Sequence, residues 1–489
     1  MALARGRETL TDLAFLTLLL GHFAQGRHTD RHAGIRDDSL DAVVNAEERP
    51  DLGESPHPVP LWRNRDYTLW WSGTALSNLG TSVSALAFPL LILATAGSAA
   101  AAGIVGTCAG AGLLVGLLPA GVLADRRSRR AMLIGASLVQ VATMGTVFWL
   151  VAAGRPWLPA IAALALVQGL ASAAFRGAAA PVVRRVVPVS QLKAAYAGAE
   201  ARDYGAQLAG APLGGLLFSL ARWAPFLADA LSFAAVTIAS ALLRTELGPD
   251  PGSGLGAAGR SGSRSSALHD LAAGLAHIRD RAFLRYALLW LALMNLMLGG
   301  VGFMFIVTLR RHGASSTQIG AAEALATACA LGGALASGWV VQRVPGRRLV
   351  LGVSWMMPIG VAALVPLAGR PWLAGLCLGA STVLVTPLNV VLTSHVMATT
   401  EDALTARVAS AMGLAAMGLG WLAPLVCGAL ADAFGVDVPL IAVVVGLVAM
   451  AGANHVLPAV RELSADPGDD EDGGGSPRPA GPPHDAVPD

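Results

Sequence analysis

From Tyr67 to Ala124 the chain runs for 58 residues without an Asp, Glu, Lys or Arg. Long apolar stretches of this kind recur as far as residue 458, separated by short polar breaks. A helix that crosses a bilayer needs about 20 mostly apolar residues. The pattern therefore predicts membrane spans rather than core segments of a soluble fold. The first run breaks at Ala96-Gly97-Ser98 into two spans, and four more follow at about 131–154, 156–175, 196–221 and 223–243. After a polar interval come six others, at about 283–309, 317–342, 349–369, 371–397, 405–431 and 438–458. The expected fold class is all-α and integral to the membrane, with twelve transmembrane helices as two pseudo-symmetric six-helix bundles.

The polar intervals set the expected domains. Residues 1–60 read as a flexible cytoplasmic extension, and 61–246 as the first bundle. Residues 247–280 form a linker whose stretch 248–267 is rich in Gly and Ser. Within that linker Leu268, Leu271, Leu275 and Ile278 recur at helical spacing beside charged residues, which predicts a short amphipathic helix at the membrane surface. The second bundle covers 281–461, and 462–489 is an acidic, Pro/Gly-rich tail expected to be disordered.

Composition supports the membrane reading. The chain is 54% hydrophobic and only 13% charged, whereas soluble domains carry roughly 25% charged residues. A net charge of +2 gives no reason to expect a nucleic-acid partner. The four cysteines stand apart, with no metal-like spacing. The chain has neither a nucleophile elbow nor a phosphate-cradling glycine loop, so an enzyme or a bound cofactor is not expected. Without a nucleotide site, transport would have to run on an ion or substrate gradient.

Charge placement predicts orientation. Arg126, Arg127, Arg129, Arg130, Arg184, Arg185, Lys193, Arg343, Arg347 and Arg348 fall in alternate loops, while the intervening loops hold only Arg155, Arg222, Arg310, Arg311 and Arg370. The positive-inside rule makes the first set cytoplasmic, together with both termini.

The halves also repeat. "WRNRDY" at 62–67 and "IRDRAF" at 278–283 are offset by 216. Gly121 with Arg126, Arg129 and Arg130 is matched at an offset of 217 by Gly338 with Arg343, Arg347 and Arg348. "APL" at 211–213 recurs at 423–425, an offset of 212. A near-constant offset indicates duplication, and repeated halves with a site between them near the midplane are one transporter plan.

These residues carry a resemblance. Gly121, Asp125, Arg126, Arg129 and Arg130 closely resemble the loop signature of the major facilitator superfamily, with Ser128 where a second glycine usually stands. "FLADALSF" at 226–233 resembles the start of helix six in the drug-efflux branch that includes enterobactin exporters and macrolide-efflux proteins. Gly210, Gly214 and Gly215 resemble the antiporter motif of helix five, with Pro212 one place after the position where its proline stands. The resemblance implies that Asp125 pairs with Arg129 or Arg130, or faces the N-terminus of helix eleven, and so holds a cytoplasmic gate closed. A basic loop that only orients the protein is the plainer alternative.

Candidate chemistry follows. Intramembrane charges are costly and suggest function. Glu323, alone in an apolar run, is the first candidate for proton coupling, Asp229 the second, and Glu200 and Asp203 the next. The resemblance implies a cavity lined by helices one, four, seven and ten, which supply Asn78, Thr81, Gln168, Asn295, Phe303 and Asn389. Such a lining suits a bulky amphipathic ligand. The function expected is export of a lipophilic or amphipathic small molecule, a drug or natural product, in exchange for protons, by a monomer in the bilayer of a bacterial plasma membrane. An importer or facilitator of the same fold, or a transport-inactive receptor, is the alternative.

Overall fold

Gly97 ends the first apolar run by adopting φ 67°, a left-handed conformation that side-chain-bearing residues rarely take. It separates α1 (Arg65–Ala96) from α2 (Ala99–Arg126). Gly313, at an offset of 216, does the same at φ 85° between α7 (Ala282–Arg311) and α8 (Ser316–Arg343). The computed structural model describes residues 60–126, 128–245, 281–399 and 418–457, with 408, 412 and 413 between the last two stretches. The expected N-terminal extension, linker helix and acidic tail lie outside the described residues.

The remaining helices are α3 (Arg129–Ala152), α4 (Leu158–Ala179), α5 (Leu192–Leu220), α6 (Ala224–Leu242), α9 (Gly346–Leu367), α11 (Ala423–Phe434) and α12 (Asp437–Val456). The tenth, α10, is the span Pro371–Met397, interrupted by a turn at Val383 and Leu384. Among the described residues ten helices are long and apolar enough to cross a membrane, and Gly420–Phe434 is a shorter apolar one. The remaining rod is α5, whose first turns carry Lys193, Glu200, Arg202 and Asp203.

Packing repeats as the sequence does. In the first half α1 packs on α5 and α6, α2 on α4, and α3 on α4 and α6. In the second, α7 packs on α11 and α12, α8 on α10, and α9 on α10 and α12. Each pair in the second half is the first-half pair advanced by six helices. The correspondence extends to single hydrogen bonds. Thr237 of α6 donates to Ser137 of α3 at 2.8 Å, and Asn454 of α12 donates to Ser354 of α9 at 2.7 Å. Both positions are offset by 217, and in the second half Tyr286 of α7 joins by donating to Asn454 at 3.0 Å.

The arginine-rich end of the first half is also tied. Asp66 accepts the backbone N–H of Arg244 at 3.0 Å and of Thr245 at 2.7 Å, just beyond α6. Arg130 donates to the carbonyls of Leu243 and Thr245. The sequence places the acid of the "RD" pair at a helix start, and here it caps the chain that leaves the sixth helix.

Candidate functional site

Alternate loops define two ends of the molecule. One end carries the arginine-rich loops and the other carries Gly97, Gly313 and Gly435. The two ends differ in how the halves meet and in what they enclose.

A cavity of about 450 Å³ opens near the arginine-rich end of the first half. Its walls come from the start of α1 (Tyr67, Trp70, Trp71), the last turns of α4 (Phe175, Arg176) and the first turns of α5 (Tyr196, Arg202, Asp203). Asn78 and Thr81 of α1 and Gln140 of α3 reach it from deeper in the bundle. Its charges are ordered by a short network. Asp203 pairs with Arg202 at 2.9 Å and accepts Asn78 Nδ2 at 2.6 Å, while Arg202 also donates to Thr74 Oγ1. A groove of about 510 Å³ between α2, α3 and α4 differs in kind. It is lined by apolar residues alone, several exposed on the outer surface, such as Val139 and Val167. Lipid tails suit that groove.

At the opposite end the halves are joined. The helix α2 crosses α11, and α5 crosses α8. Both crossings are built from glycine against backbone. A Cβ on Gly103 would strike the carbonyl oxygen of Pro424, and one on Gly320 would strike that of Ala211. Gly428 lies in the same way on Ala99, and Gly215 on Ser316. Gly103 and Gly320 are offset by 217, and the "APL" words they meet are the repeated ones. Close approach of this kind needs small residues, because helices in lipid have no hydrophobic force to hold them together.

The same end carries a charged clasp that sequence reasoning missed. Asp432, in the last turn of α11, accepts Ser98 Oγ at 2.6 Å and the N–H groups of Ala99 and Ala100 at 3.0 and 2.9 Å. It also pairs with Arg311 at 3.2 Å. A carboxylate is disfavoured at the C-terminus of its own helix but stabilising at the N-terminus of another. Nothing near position 432 announces this, since Ser98, Ala99 and Ala100 stand more than three hundred residues away and Arg311 stands 121 away.

The expected site residues separate into groups. Asn78, Thr81 and Asp203 share the cavity, and Glu200 is exposed on the same helix as Asp203. Asp229 is buried between α1 and α6, accepting Ser84 at 2.6 Å and Ser232 at 3.2 Å. Glu323 lies on α8, one turn beyond Gly320, and its buried Oε2 has no hydrogen-bond partner among the described residues. Gln168 accepts the Thr143 hydroxyl at 2.5 Å between α3 and α4. Asn295 donates to Leu291 of its own helix, Phe303 is buried, and Asn389 is exposed. None of these four lines the cavity.

Gly210 and Gly214 pack against Ser82 and Val83 of α1, and Pro212 lies under Gly320. The backbone of α2 continues through Asp125 and Arg126, whose side chains lie outside the described residues. Arg129 is buried, and Arg343 stacks over Trp339 at 4.5 Å. Gly121 and Gly338 have nothing within 4 Å of where a Cβ would be. Among the described residues no group of His, Cys, Asp and Glu could hold a metal ion.

A family model described as the Major Facilitator Superfamily matches residues 70–424. Solved structures share the fold at low identity. The nucleoside transporter NupG aligns at 13% identity over 81% of this chain and 99% of its own, with a TM-score of 0.63. A bacterial homologue of the human lysosomal transporter Spinster, inward-facing and unoccupied, aligns at 16% identity over 85% of this chain and 100% of its own, with a TM-score of 0.61. The POT family transporter PepTSo aligns at 11% identity over 82% and 98%, with a TM-score of 0.62. No curated protein is similar enough in sequence to match.

Proposed function

Because this chain belongs to the major facilitator superfamily, we propose that it is a secondary exporter, moving an amphipathic small molecule by alternating access in exchange for protons. The positive-inside rule makes the arginine-rich end cytoplasmic. One observation carries the reading. The cavity opens at that end, while the glycine crossings and the Asp432 clasp close the other. This is the state in which an exporter loads and an importer unloads, and the likeness of 226–233 to helix six of the efflux branch favours export. Aromatic walls with a few amides and charges suit an amphipathic cargo such as a drug or natural product. The protein would act as a monomer in a bacterial plasma membrane, both termini cytoplasmic.

Glu323 remains our candidate for coupling. It stands on the face that α8 turns toward α5, since residues three apart share a face and Gly320 lies on Ala211. An unpaired buried carboxyl at a moving seam can take and release a proton as the seam opens. Asp229, satisfied by two hydroxyls, fits a structural role better, and Asp203 is committed to Arg202. Asp125, with Arg126, Arg129 and Arg130, would close the cytoplasmic end in the alternate state.

Transport in everted membrane vesicles tests the proposal. An interior made acidic should drive uptake of labelled amphipathic probes, and collapsing the pH gradient should stop it. Probe movement out of such vesicles, or uptake indifferent to the gradient, would replace the exporter with an importer or a facilitator.

A further inference from the structure

The charges of the cavity do not balance. Arg202 is neutralised in place by Asp203, and Asn78 fixes the carboxylate of that pair. Arg176 lines the same cavity from α4 and has no hydrogen-bond or ion-pair partner among the described residues. Among the described residues Asp203 is the one acid in the lining, so they leave the cavity a single uncompensated positive charge. Arg176 stands exposed to this cavity in the last turn of α4, where water solvates it while the cavity is open, and a cargo that displaced that water without bringing an anion would leave the charge unpaired. Around it stand aromatic faces. Trp70 and Phe175 are stacked at 6.2 Å, and Tyr67 and Tyr196 add hydroxyls at the rim.

We infer that the missing partner is the cargo. The cavity binds amphipathic molecules that carry a carboxylate or similar anion, with the anion on Arg176 and the apolar body against Trp70 and Phe175. A guanidinium donates paired hydrogen bonds to a planar anion, and its fixed charge cannot be titrated away. Arg202 is pinned in the network with Asp203 and Thr74 and has the lesser part in recognition. This inference rests on the transport reading above but concerns what binds, which can be measured without transport.

The test uses the full chain in detergent and equilibrium dialysis with three matched probes: 1-naphthaleneacetate, 1-naphthaleneacetamide and 1-naphthylmethylammonium. The acetate should bind at least about tenfold more tightly than the amide, the usual worth of one charge-assisted pair, and the ammonium should bind most weakly. Arg176→Gln should remove the preference for the acetate, so that acetate and amide bind alike. Arg176→Lys, which keeps the charge, should restore part of it. Equal binding of acetate and amide, binding of none of the three, or a preference that survives Arg176→Gln would overturn the inference. The same probes in everted vesicles separate the two claims. Binding with the expected preference but no movement would overturn the exporter and leave the anion site standing.

Discussion

Asp432 and Ser98 are hydrogen-bonded at 2.6 Å across the boundary between the halves, the acid at the end of α11 and the hydroxyl just ahead of α2. The acid thus caps a helix that belongs to the other half. Loss of a cap costs about 1 kcal/mol, near fivefold in an equilibrium. Asp432→Ala should therefore favour opening of this end. An impermeant maleimide applied outside should label Ala100→Cys about fivefold faster in that background. Unchanged labelling would show that the clasp does not hold the closed state.

Gly103 and Gly320 should fail alike. Each faces a backbone carbonyl that cannot move aside, so a larger residue forces the crossing apart, at about 1–3 kcal/mol for overpacking. Gly103→Val and Gly320→Val should both insert normally yet lose transport, with the end opposite the arginines held open. Gly338→Ala, with nothing within 4 Å, is the control and should transport as the wild type does. Normal transport by either valine variant would mean that these crossings do not have to close.

Glu323→Gln keeps the shape of the side chain and removes its proton exchange. Uptake driven by a pH gradient should be abolished, while equilibrium binding of the probes stays within about twofold of wild type. If the variant still concentrates probe against a gradient, coupling lies elsewhere and Asp229 is the next residue to change.

Asp229 should behave as a structural residue. Asp229→Ala removes the side-chain acceptor that links Ser84 of α1 to α6, leaving the Ser84 and Ser232 hydroxyls only the carbonyls of their own helices, which costs about 1 kcal/mol. Thermal unfolding in detergent should shift downward by several degrees. Asp229→Asn, which retains an acceptor, should unfold near the wild-type temperature and still pump. Loss of pumping in a stable asparagine variant would move coupling to this position.

Asp125→Asn removes charge at the end of α2 without changing its length. Insertion should be near normal and efflux severely reduced. Wild-type efflux would leave the basic loop with an orienting role alone.

Hydropathy made the twelve helices legible because a lipid solvent leaves few alternatives for apolar runs of this length. The repeat was legible too, in glycines and in "APL", since duplicated halves meet the same contacts twice. Pairings across the chain were not legible. Asp432 reads as an incidental acid near a helix end, because its meaning depends on an N-terminus brought beside it by folding. The expected cavity residues divide for a related reason, Asn78 and Thr81 lying in the cavity wall and Gln168 outside it. A span shows its polar residues but not its rotation, and Gln168 turned toward Thr143 while Asn78 turned toward Asp203. Arg176 is legible in the sequence as a charge inside a span, but what it faces is legible only once the cavity wall is seen around it.

The two glycine crossings bear on speed as well as closure. Where side chains interlock, parting two helices means that many rotamers must change together before anything yields. Here backbone rests on backbone, with only missing methyl groups between them. At these glycines the surfaces can separate with few side chains leaving their wells, Thr107, whose hydroxyl donates to the Trp421 carbonyl, being one that must let go. The clasp at Asp432 then sets how much of the time this end is shut, while the bare seam keeps the barrier between shut and open low. Substitutions in the clasp should therefore shift populations alone, whereas a bulky residue in the seam should both hold this end open and stop turnover.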